Sequence, residues 1–481
     1  MKKQKPKNNP QSSSRVREKA SGIQDQTSGN RDPAPGFSIT TLGCKVNQYE
    51  SDAMARCLEL SEWIPESNVG EAELCIINTC TVTRKAAMQS RQAVRQAIRS
   101  NPGARIIVTG CYAQTEPEEV KKIAGVHYII GHADKHKIPE IITSDSQKNP
   151  LHSLPCPEII RQDIGKERLF GQIPVTAFGN RTRPVLKIQD GCDAFCTYCI
   201  VPYARGRSRS MPRENVLENI RQLNKAGFRE VVLSGIHLGC YGLDLSPKTS
   251  LVELMKQVRT SDAVERVRLS SIEPHELTEA YINLVGESDI FCNHFHIPLQ
   301  SGDDRILKRM NRPYTTRLFR EQVHRIRKQI PDAAIGADVM VGFPGETEDA
   351  FNNTRALIDE LPVSYLHVFP FSARDGTPAG KYPDPVAPDV IKTRALKMRQ
   401  LGNAKISLFY TRFVKEKIEV LVEGKPNDPE GSLKGISSNY IPVLFKGDGH
   451  LKNTFVNVRI EAVNPDNSVF GTICNNRNGT G

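Results

Sequence analysis

Three things are missing from this 481-residue chain, and each removes a class of reading. No stretch approaches the roughly eighteen consecutive apolar residues that a membrane helix needs; the nearest, Glu71 to Val82, is interrupted by polar groups. The first residues contain no apolar segment of the secretory kind, so the expected location is cytoplasmic, where a disulfide framework for the 12 cysteines is unfavourable. No second Cys-x2-Cys or His-x3-His pair follows the densest cysteine group, which argues against a closed tetrahedral zinc site.

What is present centres on Gly191-Cys192-Asp193-Ala194-Phe195-Cys196-Thr197-Tyr198-Cys199, with three and then two residues between the thiols. A four-iron cluster held by three thiolates keeps one iron without a protein ligand. A small molecule can bind there and exchange electrons with the cluster. The formal charge of +11 makes a polyanionic partner plausible, and its placement narrows the partner's footprint. Residues 1–36 carry 8 basic and 3 acidic groups, 37–178 balance at 16 and 16, and 412–473 balance at 8 and 8. Most of the remaining excess falls on the middle of the chain, where a nucleic-acid footprint is expected.

Residues 1–36, rich in Lys, Gln, Ser, Asn, Gly and Pro, read as a disordered basic tail. From Phe37 short apolar runs alternate with amphipathic segments, the pattern of a doubly wound parallel α/β domain over 37–143. Its first runs, Phe37–Leu42, Leu74–Ile77 and Arg105–Thr109, end at Cys44, Cys80 and Cys111. Loops at that edge of such a sheet converge on one crevice, so these thiols are candidates for a second cluster. Cys57 and Cys75 read as core; Cys156, Cys240, Cys292 and Cys474 show no ligand-like grouping. Residues 144–182, with Pro150, Pro155, Pro157 and Pro174, read as a linker.

Strand-like runs recur through 183–410 at Val185, Val231, Val267, Phe295, Ile335 and Tyr365, with helical patterns between several of them. Six strand-helix units predict a partial (β/α)6 barrel whose active site lies at the C-terminal strand ends, with the cysteine loop after the first strand. Later strand ends supply Gly235, Glu273, Gln300 and Gly342 as candidate cofactor contacts; glycines allow close backbone approach and the polar groups can bind an amino or ribose group. His237 is more commonly a surface or hydrogen-bonded histidine. The run Arg205, Arg207, Arg209 and Arg213 could grip phosphates, and a basic helix-like stretch from Arg305 to Lys328 could extend that footprint. Beyond Thr411, short alternating segments predict a small antiparallel β-barrel of the oligonucleotide-binding type over 411–474, before a tail at 475–481.

Together, Thr41-Leu-Gly-Cys-Lys-Val-Asn-Gln-Tyr-Glu-Ser51, Asn78-Thr-Cys80, Thr109-Gly-Cys111 and the Cys192/Cys196/Cys199 triad resemble the radical S-adenosylmethionine (SAM) methylthiotransferase family, from Phe37 to Ile473. The wording after Cys44 looks like the branch acting on N6-threonylcarbamoyladenosine beside the tRNA anticodon. The resemblance implies two [4Fe-4S] clusters, one on Cys44, Cys80 and Cys111 and one on Cys192, Cys196 and Cys199, with SAM as cosubstrate and a C-terminal TRAM domain. It also implies methylthiolation at carbon 2 of the adenine in a tRNA anticodon loop, supported by an outside reductant protein and sulfur donor. No catalytic side chain beyond the cluster ligands is implied. Isopentenyladenosine or a ribosomal protein as substrate, an electron carrier, and an RNA-binding protein with structural clusters remain open alternatives.

Overall fold

The computed structural model describes residues 34–146, 156–171, 181–424 and 432–474; nearly all of the basic tail, Pro150, Pro155 and Pro174 of the expected linker, and residues 475–481 lie outside the described residues. The first sheet contains β1 (Gly36–Thr41), β2 (Ile64–Pro65), β3 (Leu74–Thr79), β4 (Arg105–Gly110), β5 (Tyr128–Ile130) and β6 (Glu158–Ile160). They run parallel in the order β2-β1-β3-β4-β5-β6. Strand β6 comes from the stretch read as linker, so that expectation is corrected: the segment adds an edge to the sheet.

Alternation along β3 explains why helices cover both faces. Leu74 and Ile76 pack with Met54, Leu58, Ile138 and Ile142, whereas Cys75 and Ile77 pack with Ala87, Val94 and Ala97. The helix Arg84–Ser100 starts where the Thr83 hydroxyl accepts from the Ala86 amide at 3.0 Å. Strand order reverses between β1 and β3, and the loops carrying Cys44 and Cys80 leave from either side of that switch point.

The central region contains β7 (Val185–Lys187), a short antiparallel pair β8 (Gln189–Asp190) and β9 (Arg209–Ser210), then β10 (Glu230–Ser234), β11 (Arg266–Leu269), β12 (His294–Gln300), β13 (Ala334–Val341) and β14 (Tyr365–Pro370). The parallel ladders β7-β10-β11 and β12-β13-β14 meet through the Val267–Phe291 bridge and the Ile272 amide bonded to the His296 carbonyl at 3.0 Å. The expected partial barrel is thus present, built as two three-stranded halves. Ser250, Thr278, Thr315 and Thr347 each cap a surrounding helix by accepting an amide three residues on.

The stretch expected as one basic helix from Arg305 to Lys328 is two, Asp304–Arg309 and Thr316–Gln329. Asn311 adopts a left-handed φ of 58°, which Asn tolerates, and Pro313 resists helix at the residue before it. The break matters because it delivers Arg312 into the central cavity.

The C-terminal barrel is closed in the order β15-β16-β17-β19-β18, with β15 (Lys417–Gly424), β16 (Leu433–Ser437), β17 (Pro442–Phe445), β18 (Phe455–Val463) and β19 (Val469–Ile473). All pairs are antiparallel except β17/β19. Strand β16 lacks an alternating signal in sequence; Gly435 is required there because a Cβ would lie 2.6 Å from Val420. This barrel docks at the N-terminal ends of the central strands. Arg266 donates to the Ile436 carbonyl at 3.0 Å, and Arg268 to those of Ser437 and Ser438 at 2.9 Å each. Both arginines are neutralised by buried Glu230. The N-terminal region meets the central region where helix Lys45–Leu60 packs on β7 and where Arg374, after β14, pairs with Glu116, among other contacts.

Candidate iron-sulfur and SAM site

The cysteine loop is shaped by backbone before any side chain acts. Gly191 has φ 72°, and a Cβ there would sit 1.9 Å from the Arg207 carbonyl oxygen, so only glycine fits. Asp190 caps it by accepting from the Gly191 amide at 2.9 Å, and the Cys192 amide donates to the Gly206 carbonyl at 3.0 Å. The broken-helix turn grips the far side: the Thr197 hydroxyl donates to the Arg309 carbonyl at 2.9 Å, and the Asn311 amide donates to the carbonyls of Ala194 and Phe195 at 3.2 and 3.3 Å. Cys192, Cys196 and Cys199 therefore face one cavity of about 400 Å³.

Nitrogen donors surround those sulfurs. Arg312 Nη1 lies 3.1 Å from Cys196 Sγ while its other nitrogen pairs with Glu273 and its Nε donates to Tyr314 at 2.9 Å. His237 Nδ1 lies 3.5 Å from Cys192 Sγ and its Nε2 lies 2.8 Å from Glu276. Burial alone would strip the His237 proton, but the hydrogen bonds with Cys192, Cys240 and Glu276 hold it on, well above the usual imidazole range. Burial pushes the Cys199 thiol up to about 12, so metal loading must displace its proton. Three soft sulfurs ringed by N–H donors and opening on a cavity suit a cluster with one exposed iron.

Cys44 and Cys80 sit just past β1 and β3, and Cys111 opens the short helix Cys111–Thr115 after β4. A Cβ on Gly43 would lie 2.9 Å from Cys80 Sγ, and all three thiols act on one another electrostatically. Burial pushes Cys111 up to about 12, with Arg205 opposing. The two cysteine sets share a boundary: Val82 and Thr83, just after Cys80, line the same cavity as Cys192, Cys196 and Cys199. Helix Cys111–Thr115 also packs against Val201–Arg205, the helix following the triad.

A buried ionic knot ties these loops together. Glu50 lies 2.8 Å from Arg205 and 3.1 Å from Lys187, and also pairs with Lys135; Asp190 lies 3.0 Å from Arg205 and 2.9 Å from Lys187. Arg205 also donates to Asn47, whose amide nitrogen donates to the carbonyls of Leu42 and Thr79 at 2.7 and 3.0 Å. Consequently Asn47 and Glu50, in the wording that follows Cys44, hold cysteine loops in place inside the protein.

Four expectations are corrected or sharpened by position. Arg205 and Arg209 are buried against Glu50 and Asp190, while exposed Arg207 and Arg213 pair with Asp193 and Glu214; this run is not a free phosphate grip. Glu273 and Gln300 line the cavity. Gly235 and Gly342 are not among its lining residues: Gly235 abuts Gln189, and the Gly342 amide donates to Glu346, which Arg394 neutralises. Cys240, expected to be ungrouped, lies with His237 and Glu276 so that their ligand atoms fall within 4.8 Å. Arg312, His296, Asp338 and the Glu50 knot were not legible as site groups, because single polar residues in helical or strand-like stretches carry no local signal.

The comparisons with known proteins agree with this arrangement. Residues 36–131 match the uncharacterized protein family UPF0004, and residues 186–358 match the radical SAM superfamily. The threonylcarbamoyladenosine tRNA methylthiotransferase MtaB of Bacillus subtilis is 39% identical over 424 residues, covering 87% of this chain and 92% of that one. The chain belongs to the radical SAM methylthiotransferase family. The MtaB protein of Rickettsia prowazekii is 37% identical, covering 80% and 87%. The tRNA-2-methylthio-N(6)-dimethylallyladenosine synthase of Acetivibrio thermocellus is 33% identical, covering 89% and 88%. Among solved structures, the radical SAM methyltransferase TsrM from Kitasatospora setae aligns with a TM-score of 0.54 at 14% identity, over 72% of this chain and 77% of that one, a likeness of fold alone. The chain is thus a radical SAM enzyme carrying iron-sulfur cluster-binding motifs. No helix among the described residues is long and apolar enough to cross a membrane.

Proposed function

We propose that this enzyme is a tRNA methylthiotransferase that modifies carbon 2 of N6-threonylcarbamoyladenosine 37 in an anticodon loop, using one [4Fe-4S] cluster on Cys192, Cys196 and Cys199 and a second on Cys44, Cys80 and Cys111. The observation that carries the reading is that Cys192, Cys196 and Cys199 line a cavity whose wall also holds Val82 and Thr83, the residues just past Cys80 of the second three-cysteine set. When bound, the clusters and SAM supply the electron, the radical and the sulfur that side-chain acid-base chemistry lacks.

The protein's own contributions follow from the geometry. Arg312 and His237 donate toward the sulfurs of Cys196 and Cys192, favouring their thiolate forms. Glu273 and Gln300 offer carboxylate and amide groups to SAM on the cavity wall. Phe369, Phe371, Met340 and Ile236 give that wall an apolar part that excludes water. Domain limits of 37–143, with strand β6 at 158–160 added to the first, 183–410 and 411–474, the last as a TRAM domain, suit this division of labour. A base reaches such a cavity only from an unstacked loop, as an anticodon loop provides.

The substrate assignment is supported by relatives bearing the threonylcarbamoyladenosine name at 39%, 37% and 34% identity, against 33–34% for those named for dimethylallyladenosine. The test is anaerobic: reconstitution with iron and sulfide, addition of SAM, dithionite and tRNA, and analysis of the nucleosides. Methylthio-threonylcarbamoyladenosine together with 5'-deoxyadenosine is expected. Methylthio-isopentenyladenosine in its place would refute the substrate, and absence of both products from protein with full iron content would refute the chemistry.

A further inference from the structure

The inner face of β12, β13 and β14 carries a polar group that the chemistry above does not use. Residues paired in register on parallel strands point the same way, and Asp338 pairs with His367 and Met340 with Phe369. Asp338, Met340 and Phe369 all line the central cavity, and His367 lies beside them on the same face of the sheet, its ring centre 6.4 Å from that of Phe369. His296 lies 2.8 Å and His367 3.2 Å from the same Asp338 oxygen. Behind them, the Tyr365 hydroxyl is shared between His296 at 3.0 Å and His294 at 2.8 Å. The Tyr365 ring reaches both only because position 336 is glycine; a Cβ there would lie 2.1 Å from the ring.

The result is a fixed, charged acceptor at the cavity wall. Although burial opposes it, hydrogen bonds from His296 and His367 hold Asp338 at about 2, so its carboxylate is ionised throughout the working pH range. The His367 side chain is 53% exposed and retains capacity for a further partner. An aliphatic N6 substituent placed here would desolvate these groups and return no hydrogen bond. A threonylcarbamoyl substituent offers what they lack: ureido N–H donors for the Asp338 carboxylate and a hydroxyl that can donate to the remaining ring nitrogen of His367.

We infer that Asp338 and His367, positioned by His296 and Tyr365, recognise the polar N6 substituent of the substrate adenosine and set the enzyme's preference against aliphatic ones. This rests on the threonylcarbamoyladenosine reading above. The test uses the full chain with its iron-sulfur content restored and three anticodon stem-loop RNAs, bearing N6-threonylcarbamoyladenosine, N6-isopentenyladenosine or unmodified adenosine. Competition binding and kcat/KM are measured for the wild type, His367→Leu and Asp338→Asn.

In both variants the preference for threonylcarbamoyl over isopentenyl RNA falls about ten- to a hundredfold, as expected for loss of a charge-assisted hydrogen bond. The change appears mainly in KM and in binding rather than in kcat. A preference within twofold of wild type in both variants overturns the inference and leaves the substrate assignment standing. A wild type that prefers isopentenyl RNA overturns the substrate assignment itself. One equivalent of a divalent metal other than iron, lost in His367→Leu, would reassign the trio as a metal site and also overturn the inference.

Discussion

Replacing Glu50 by glutamine tests the buried knot that joins the two cysteine regions. Glu50 is 4% exposed, and its partners Lys135, Lys187 and Arg205 are 3%, 8% and 1% exposed, so none can turn to solvent when the charge is removed. Lys187 and Arg205 keep Asp190 at 2.9 and 3.0 Å. Lys135 retains the Asn78 side-chain oxygen at 3.3 Å in place of its carboxylate. Breaking a buried ion pair from one side costs about 3–5 kcal/mol. An upper limit on the lysine's share follows from proton release: at pH 7.5, neutralising a lysine of unperturbed pKa costs about 4 kcal/mol. The expected loss on urea unfolding of the anaerobic protein is therefore about 3–4 kcal/mol, with reduced iron content because Arg205, which also holds Asn47 beside the Cys44 and Cys80 loops, loses one of its two carboxylate partners. The double variant Glu50→Gln with Lys135→Met removes the orphaned charge and recovers at least about 1.5 kcal/mol. A single-variant cost below about 1 kcal/mol, or a double variant no more stable than the single, would refute the reasoning.

Other expectations concern acid, alkali and two arginines. Burial first, helped by nearby cations, drives the pKa values of His132 and His294 well below the usual imidazole value. Their contribution is complete above about pH 6.5 and is lost as pH falls below it, by up to about 3 kcal/mol for the pair at pH 5.5. A urea midpoint that does not move between pH 7.5 and 5.5 would count against this, and His132→Gln should flatten the slope. Burial raises Cys75 to about 11 and Cys111 and Cys199 to about 12, so the metal-free protein loses stability as pH rises beyond about 8.5; iron loading removes the share of Cys111 and Cys199 and leaves that of the core thiol Cys75. Arg312→Lys cannot reproduce the contacts with Cys196, Glu273 and Tyr314 together; SAM cleavage should fall at least about tenfold, with iron bound at Cys44, Cys80 and Cys111 intact, as read by Mössbauer spectroscopy. Arg268→Met leaves Glu230 short of a partner and the Ser437 and Ser438 carbonyls without their donor, a cost of about 3 kcal/mol that limited proteolysis should register as early release of the C-terminal barrel.

Order along the chain was legible wherever local pattern sufficed. Apolar runs of fixed length between glycines and helical periods gave β1, β3, β4 and the six parallel central strands, because burial on both faces needs such runs. The spacing of Cys192, Cys196 and Cys199 marked the cysteine loop for the same reason: the whole signal lies within eight residues. Strand β6 and strand β16 escaped, since one lies among the prolines that read as linker and the other is set by a glycine that accommodates Val420. The arginine run after the triad misled because charge in sequence does not say whether a carboxylate from 155 residues away is waiting for Arg205.

Local order and composition therefore specified the kinds of elements, their sequence and the loop that carries the chemistry. Which polar groups share a cavity was decided only by the tertiary fold. Glu50 meets Lys187 across 137 residues, Arg312 meets Cys196 across 116, and His367 meets Asp338 across 29 through strand register. Such pairings depend on how helices and strands are brought together around the core, and no periodicity records them.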